Sequence, residues 1–178
     1  MIYPKLRLIK NEDIQLLRYW KNLDHIRHQM VEDNLIGKED QKKWFDNIDE
    51  NYTKYFIYSI DEKDVGNVKI SNIDYKKKTF EAGIFCGDLS FLNHWVNIWA
   101  CTEIYDYAFN ELKLERAYAI IKNKNAVALR LNKSLGYIYE KNLNSDLQYL
   151  TLDKDNYLEA SVKIKKYLNN LIKLKNNN

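Results

Sequence analysis

A chain of 178 residues, 46% hydrophobic and 30% charged, is long enough to fold as one compact domain with a sizeable core. The net charge of +3 is small and the basic residues are not strongly clustered, which argues against a nucleic-acid-binding protein. No apolar run approaches the length of about 18 residues needed to span a membrane, and no signal peptide is evident. We therefore expect a cytoplasmic protein that is not inserted in a membrane.

The first half of the chain predicts one strand and two helices. Ile14, Leu17 and Trp20 recur at helical spacing, and Trp44 and Ile48 share one face of a second helix. The predicted elements are a strand at 6–10, a helix at 12–22 capped by Asn11, a mixed loop at 23–36 and a helix at 38–48.

The second half predicts a meander of three strands followed by alternating helices and strands. The strand at 79–86 has a continuous apolar end, as expected of a central strand. The predicted elements are strands at 55–60, 65–74 and 79–86, a helix at 97–112, a strand at 116–121, a helix at 125–135, and strands at 137–143 and within 147–164.

This order predicts a single α/β domain with a mixed, mostly antiparallel central sheet flanked by helices. We place the domain at residues 1–168 and expect the Asn- and Lys-rich residues 169–178 to fray. The loop after strand 79–86 and the helix start at Asn125 should face the same side, which is where ligands bind in open α/β sheets.

The histidines and cysteines do not form a recognisable metal or redox motif. His25 and His28 have helical spacing but no third ligand pattern nearby. Cys86 and Cys101 match no redox or metal spacing and lie in apolar surroundings. We expect two reduced core thiols and no metal site.

Three stretches together resemble the GNAT superfamily of acyl-CoA-dependent N-acyltransferases, and the resemblance covers nearly the whole chain. EAGIFCGD (81–88) is similar to the central strand of that family. DYAFNELKLERAYAII (106–121) is similar to the end of its cofactor helix and the next strand, and NAVALRLNKSLGY (125–137) to its Asn-containing helix. The resemblance implies the GNAT fold and acetyl-CoA as the co-substrate.

Residues 7–30 and 36–48 resemble the members that acetylate nucleotide-linked amino sugars, of the type found in pseudaminic acid biosynthesis. Residues 153–170 resemble the final strand of that group. The implied reaction moves an acetyl group to the amino group of a nucleotide-linked deoxyamino sugar for bacterial surface glycan biosynthesis. The implied acceptor-site residues are Lys21, Met30 and Gln41, of which Lys21 and Gln41 replace an Arg and a His of the group.

Acyl transfer from a thioester to an amine requires proton removal from the amine and stabilisation of an oxyanion. Glu81 is the candidate base or water-positioning residue, and the simpler alternative is an ion pair with a lysine. The resemblance assigns oxyanion binding to a backbone N–H at Phe85 or Cys86. The family position of a tyrosine acid holds Asn132, which can donate a hydrogen bond to a thiolate but is not a useful acid.

The loop that wraps the CoA pyrophosphate in the family normally contains glycine, but here it does not. The residues at the matching positions are Asn93, His94, Trp95, Val96, Asn97 and Ile98. Asn tolerates the left-handed backbone conformation, so Asn93 and Asn97 can preserve much of the path, whereas Trp95 must point away from the phosphate. Asn125 matches the position that contacts the pantetheine arm, and its simpler role is a helix N-cap.

Two alternatives remain open at this point. A protein N-terminal acetyltransferase of the same fold would have an open acceptor cleft, and a protein that has lost CoA binding would have Trp95 filling the cofactor groove. The expected partner is a small-molecule acceptor, and a homodimer is plausible although no decisive surface patch is evident.

Overall fold

The computed structural model describes residues 4–176, which form one seven-stranded sheet with helices on both faces. No helix among these residues is long and apolar enough to cross a membrane. The elements are β1 (Pro4–Leu8), α1 (Ile14–Asn22), α2 (Asp24–Arg27), α3 (Lys38–Asp46), β2 (Lys54–Ile60), β3 (Lys63–Asp74), β4 (Thr79–Cys86), α4 (Trp95–Asp106), β5 (Arg116–Lys122), α5 (Ala126–Ser134), β6 (Ile138–Asn142), β7 (Leu147–Asp153) and α6 (Lys154–Asn176).

The strand order is β1-β2-β3-β4-β5-β7-β6. All neighbouring strands are antiparallel except β4 and β5, which run parallel at the centre of the sheet. The predicted mixed, mostly antiparallel sheet is therefore confirmed, and the single parallel pair marks the centre of the molecule.

Side chains of the sheet alternate between two hydrophobic cores because successive strand residues point to opposite faces. Phe56 and Tyr58 of β2 belong to the larger core, which α4 and α6 cover. Ile57 between them belongs to a smaller core with Leu17 and Trp20 of α1. The helices α1 and α4 thus lie on opposite faces of the sheet.

The resemblance of residues 153–170 to a final strand is wrong, because this segment begins the 23-residue helix α6. Tyr157, Ser161 and Leu168 are buried, and Ile164 packs against the same core. Their spacing of three or four residues is that of a helix face, a signal that was present in the sequence. The helix continues to Asn176, and fraying of its last turns stays a prediction.

Asn11 does not cap the first long helix. Residues 11–13 form a 3-10 turn, and α1 begins at Ile14. The Asp13 carboxylate accepts hydrogen bonds from the Lys10 backbone N–H at 2.7 Å and from the Arg7 guanidinium at 2.7 and 2.9 Å. The helix α1 therefore begins two residues later than the sequence suggested, and the Arg7–Asp13 contacts hold the 3-10 turn that precedes it.

Candidate active site

The central feature of the site is the separation of the two parallel strands. β4 and β5 pair only where Thr79–Glu81 lies beside Arg116–Tyr118, although both strands continue beyond that point. The open edges bound a cavity of about 510 Å³ that reaches from α1 on one face to α4 on the other. Six residues singled out from the sequence line it: Lys21, Met30, Glu81, Phe85, Asn125 and Asn132.

The unpaired edge of β4 offers backbone N–H groups to this cavity. The N–H and C=O of one strand residue point to the same side, and successive residues alternate. A Cβ added at Gly66 of β3 would meet the Phe85 carbonyl at 2.3 Å, so Phe85 directs its backbone toward β3. The alternation therefore directs Ile84 and Cys86 toward the open edge. The predicted oxyanion donors were the backbone N–H groups of Phe85 and Cys86. The geometry favours that of Cys86 and adds that of Ile84 as a second candidate.

Glu81 stands at the point where the strands separate, and both of its carboxylate oxygens have partners. Lys69 Nζ lies 3.2 Å from Oε1, and Asn72 Nδ2 donates to Oε2 at 2.9 Å. The ion pair with a lysine was the simpler sequence interpretation of Glu81, and it is present. These contacts fix the carboxylate at the edge of the cavity, where it can hold a water molecule or an ammonium group.

Lys21 extends from α1 into the part of the cavity that lies on the α1 face of the sheet. Its ammonium lies 4.3 Å from the centre of the Trp44 ring and 5.8 Å from that of Tyr55. Burial, together with the positive charge of Lys69, lowers the pKa of Lys21 to about 8. Among residues 4–176, no carboxylate forms an ion pair with it. The cavity therefore holds a half-buried cation without a counter-ion.

The segment between α1 and α3 forms one wall of the cavity and is held by contacts near its C-terminal end. Asn22 Oδ1 accepts a hydrogen bond from the Ile36 backbone N–H at 2.9 Å, and Asn22 Nδ2 donates to the Ile36 carbonyl at 3.0 Å. Lys122, only 5% exposed, donates to Asp33 Oδ2 at 3.2 Å. Met30 projects from this wall into the cavity and also packs against the smaller core. The wall is thus a fixed part of the site.

Asn125 and Asn132 approach the cavity from α5. Asn125 is the helix N-cap, because its Oδ1 accepts the Ala128 backbone N–H at 3.1 Å. This leaves its Nδ2 as the group that can bind a ligand, so the capping and binding roles are compatible. Asn132 Nδ2 donates to the Ala128 carbonyl at 2.8 Å, which uses one of its two amide hydrogens.

The glycine-free loop preserves a glycine-like conformation at one position. Asn93 has φ of 62°, in the left-handed region where Asn is the most tolerated residue after Gly. Trp95 begins α4 and is 8% exposed within the larger core, and its indole N–H has no hydrogen-bond partner in the described chain. The indole therefore points inward, away from the surface where a phosphate would approach.

The other side chains of the loop are engaged in the protein. Asn97 Oδ1 accepts the Tyr58 hydroxyl at 2.8 Å, and its Nδ2 donates to the Phe91 carbonyl at 2.8 Å. His94 Nδ1 accepts the Val96 N–H at 3.3 Å, and burial with the positive charge of Lys175 lowers the pKa of His94. Val96 is fully buried, and Ile98 packs against the larger core. Any phosphate contact here must come mainly from the backbone.

Asn93→Gly should leave the free energy of unfolding within about 0.5 kcal/mol of the wild type, since glycine adopts the same φ without strain. Asn93→Val should lower it by about 1–2 kcal/mol, because a β-branched residue is strained in the left-handed region. Urea denaturation of both variants checks this. Equal stability of the two variants would contradict the left-handed conformation at this loop.

Gln41 is placed differently from the other predicted acceptor residues. It lies on α3 at 1% exposure and does not line the cavity. Its Nε2 has no hydrogen-bond partner among residues 4–176. Gln41 is therefore buried outside the cavity lining, and its predicted role at the acceptor site stays a prediction.

Four residues around the cavity were missed by the sequence reasoning: Lys69, Asn72, Tyr105 and Lys122. Lys69 could have been found, because Lys69 and Glu81 become diagonal neighbours once the hairpin of β3 and β4 is registered. Tyr105 lines the cavity and shares a 2.8 Å hydroxyl hydrogen bond with Tyr137. Burial raises the pKa of Tyr105, so its hydroxyl stays protonated and can donate.

Cys86 is half-buried, and its thiol donates to the Asp88 carbonyl at 3.2 Å. Burial raises its pKa, which disfavours the reactive thiolate. Among residues 4–176, no group of three or more His, Cys, Asp or Glu side chains is placed to hold a metal ion.

Comparison with known proteins identifies the fold and the family. The model of the family described as acetyltransferase (GNAT) domain matches residues 5–138. The structure of spermidine N-acetyltransferase from Vibrio cholerae with CoA and spermine has a TM-score of 0.79 at 19% identity, covering 87% of this chain and 98% of that one. A domain from Methanocaldococcus jannaschii DSM 2661 has a TM-score of 0.77 at 18% identity, covering 86% and 99%.

A dodecameric structure of the Vibrio cholerae spermidine enzyme in an intermediate state has a TM-score of 0.72 at 17% identity, covering 87% of this chain and 96% of that one. No curated protein matches the chain. At these identities the structural likeness establishes the GNAT fold and leaves the acceptor undetermined.

The family match covers most of the chain, and the separated β4–β5 pair provides a cavity with backbone donors, a fixed carboxylate and the Asn125 amide. These features fit acetyl-CoA as the co-substrate. The chain belongs to the GNAT acetyltransferase domain family and is an acyl-CoA-dependent N-acyltransferase.

Proposed function

We propose that the protein acetylates the amino group of an anionic acceptor, of the class of nucleotide-linked deoxyamino sugars. The carrying observation is the Lys21 ammonium, which lines the acceptor side without an ion-pair partner. A phosphate placed against it would supply the missing counter-charge and remove the unfavourable burial of a lone cation. Lys69, in the same cavity, is balanced by its ion pair with Glu81, so Lys21 is the cation left for the phosphate.

A polyamine acceptor is less well suited to this chamber. The spermidine enzyme of Vibrio cholerae acts on a polycation, whereas here the cavity presents the Lys21 ammonium without an acidic partner from the described chain. Glu81 is shared with Lys69 and would be occupied by the amine that reacts, which leaves Glu32, on the exposed rim, as the acidic residue of the lining for a second ammonium group. Like-charge repulsion therefore disfavours a second ammonium group near Lys21.

The chain's own residues supply the groups that acyl transfer needs. Backbone N–H groups at Ile84 and Cys86 would stabilise the oxyanion. Glu81, held by Lys69 and Asn72, would position the acceptor amine or a water molecule that takes its proton. Asn132 would donate its remaining amide hydrogen to the departing thiolate. Asn125 would hold the pantetheine arm, and the backbone of residues 92–98 the pyrophosphate.

Glu81→Gln should lower kcat/KM for the acceptor about 10- to 100-fold, since an amide keeps the shape but cannot accept the amine proton. The affinity for acetyl-CoA should change little. Steady-state release of free CoA and calorimetry measure the two quantities. Glu159→Gln, an exposed change on α6, is the matched control. Full activity of Glu81→Gln across the pH range would remove Glu81 from this role.

The proposal is tested by measuring CoA release with acetyl-CoA and three acceptors: a UDP-linked 4-amino-4,6-dideoxy sugar, spermidine, and a peptide with a free amino terminus. We expect turnover with the nucleotide-linked amine and at least about 100-fold lower kcat/KM with spermidine. Preferential turnover of spermidine would overturn the proposal. Preferential turnover of the peptide would support a protein N-terminal acetyltransferase instead. A homodimer stays a prediction.

A further inference from the structure

The Lys21 side chain combines three properties that a structural lysine does not need. It lies in the acyl-transfer cavity, it is held against the faces of Trp44 and Tyr55, and no carboxylate of the described chain pairs with it. Lysines on the surface of this protein, such as Lys42 with Asp46, show the ordinary arrangement of an exposed ion pair. Lys21 is therefore an amine that lies in the cavity where acyl transfer to an amine would occur.

The sheet connects Lys21 to the open edge of β4. Tyr55, Lys69 and Gly83 are direct cross-strand partners on β2, β3 and β4, so they form one row on the α1 face. The Lys69 side chain crosses Gly83, since a Cβ added there would meet Lys69 Cε at 2.9 Å. The row leads from the ring beneath Lys21 to the strand whose N–H groups face the cavity. The row spans two strand spacings, about 10 Å, and the flexible four-carbon stem of Lys21 lets its amine move along it.

The lowered pKa makes the amine chemically available. With a pKa of about 8, roughly a tenth of Lys21 is neutral at pH 7, compared with fewer than about one in a thousand ordinary lysines. Only the neutral amine can attack a thioester.

We propose that Lys21 is a self-acetylation site that is modified by bound acetyl-CoA when no acceptor occupies the cavity. In this reaction the Lys21 nitrogen attacks the thioester carbonyl, the new C–N bond forms, and the C–S bond breaks. The proton lost from nitrogen goes to solvent or to the thiolate, and the products are Nε-acetyl-lysine and free CoA. No oxidant or further reactant is required.

Acetylation would have a defined consequence for the site. The neutral amide could still pack against Trp44, but the cation that the acceptor site offers to an anion would be lost. Self-acetylation would therefore reduce use of an anionic acceptor without removing acetyl-CoA binding. The inference depends on acetyl-CoA entering the cavity and does not depend on which acceptor the enzyme uses.

The test is to incubate the purified full chain with acetyl-CoA alone and follow intact mass and peptide mapping over time. We expect one acetyl group per chain at Lys21, accumulating at least about tenfold faster than on any other lysine, because a larger fraction of Lys21 is neutral. Lys21→Arg should remove the single modification, and Lys42→Arg should retain it. Wild-type protein unfolded in urea should lose the preference for Lys21, which provides a control that needs no variant.

Equal acetylation of many surface lysines, or no acetylation of Lys21 under conditions where calorimetry shows bound acetyl-CoA, would overturn the inference. The two proposals can fail separately. Modification of Lys21 without turnover of any nucleotide-linked amine would contradict only the proposed acceptor. Turnover of that acceptor with Lys21 unmodified in its absence would contradict only self-acetylation.

Discussion

Lys21→Glu should lower kcat/KM for a UDP-linked amino sugar by about 100-fold or more. The change replaces an unpaired, half-buried cation in the cavity with a carboxylate. The diphosphate of the acceptor would then be repelled by the residue that attracts it in the wild type. The affinity for acetyl-CoA should change less than about threefold, because the predicted pyrophosphate loop lies on the other face of the sheet. Steady-state kinetics and calorimetric titration separate these two effects.

Two matched variants sharpen this expectation. Lys42→Glu makes the same charge change at an exposed position of α3 and should have little effect. Lys21→Arg keeps the charge and should recover part of the activity that Lys21→Glu loses. If Lys21→Glu and Lys42→Glu had equal activity, or if Lys21→Glu lost acetyl-CoA binding as strongly as turnover, Lys21 would not be an acceptor-side residue.

Gly66→Ala should lower the free energy of unfolding by about 2–3 kcal/mol, the upper part of the range usual for overpacking. A Cβ at this position would lie 2.3 Å from the Phe85 carbonyl and 2.5 Å from the Tyr58 hydroxyl. Neither can withdraw easily, because Phe85 is paired in the sheet and Tyr58 is fully buried and bonded to Asn97. The same disturbance would reach the predicted pyrophosphate loop through Asn97.

Gly37→Ala is the control for this prediction. A Cβ at Gly37 meets only the movable Asp40 carboxylate at 2.9 Å, and the change should cost less than about 1 kcal/mol. Urea denaturation monitored by circular dichroism measures both variants. Similar midpoints for Gly66→Ala and Gly37→Ala would show that β3 and β4 are not packed as closely as described.

The order of elements was predictable because each carries a strong local signal. The helix spacing of Leu17 and Trp20 and the turn residues between the strands are properties of short stretches of chain. The separation of β4 from β5 was not predictable from those residues. It depends on where pairing between Glu81 and Tyr118 stops, which is a tertiary property that neither strand's composition specifies.

The candidate site was predictable only in part for the same reason. Lys21 was expected to replace an arginine. Its surroundings, the rings of Trp44 and Tyr55 and the charge of Lys69, come from three distant elements and could not be read from the sequence around Lys21. Asn93 in the left-handed conformation followed from the known tolerance of asparagine. The sequence required only that Trp95 point away from a phosphate, and its packing into the larger core shows that it points inward.

The most direct test of this account is calorimetric titration of acetyl-CoA into the wild-type protein. The left-handed Asn93 and the inward Trp95 leave the loop surface open, so we predict saturable binding with a micromolar Kd. Absence of detectable binding at millimolar acetyl-CoA would contradict this prediction, because the separated strands would then not serve as a cofactor site.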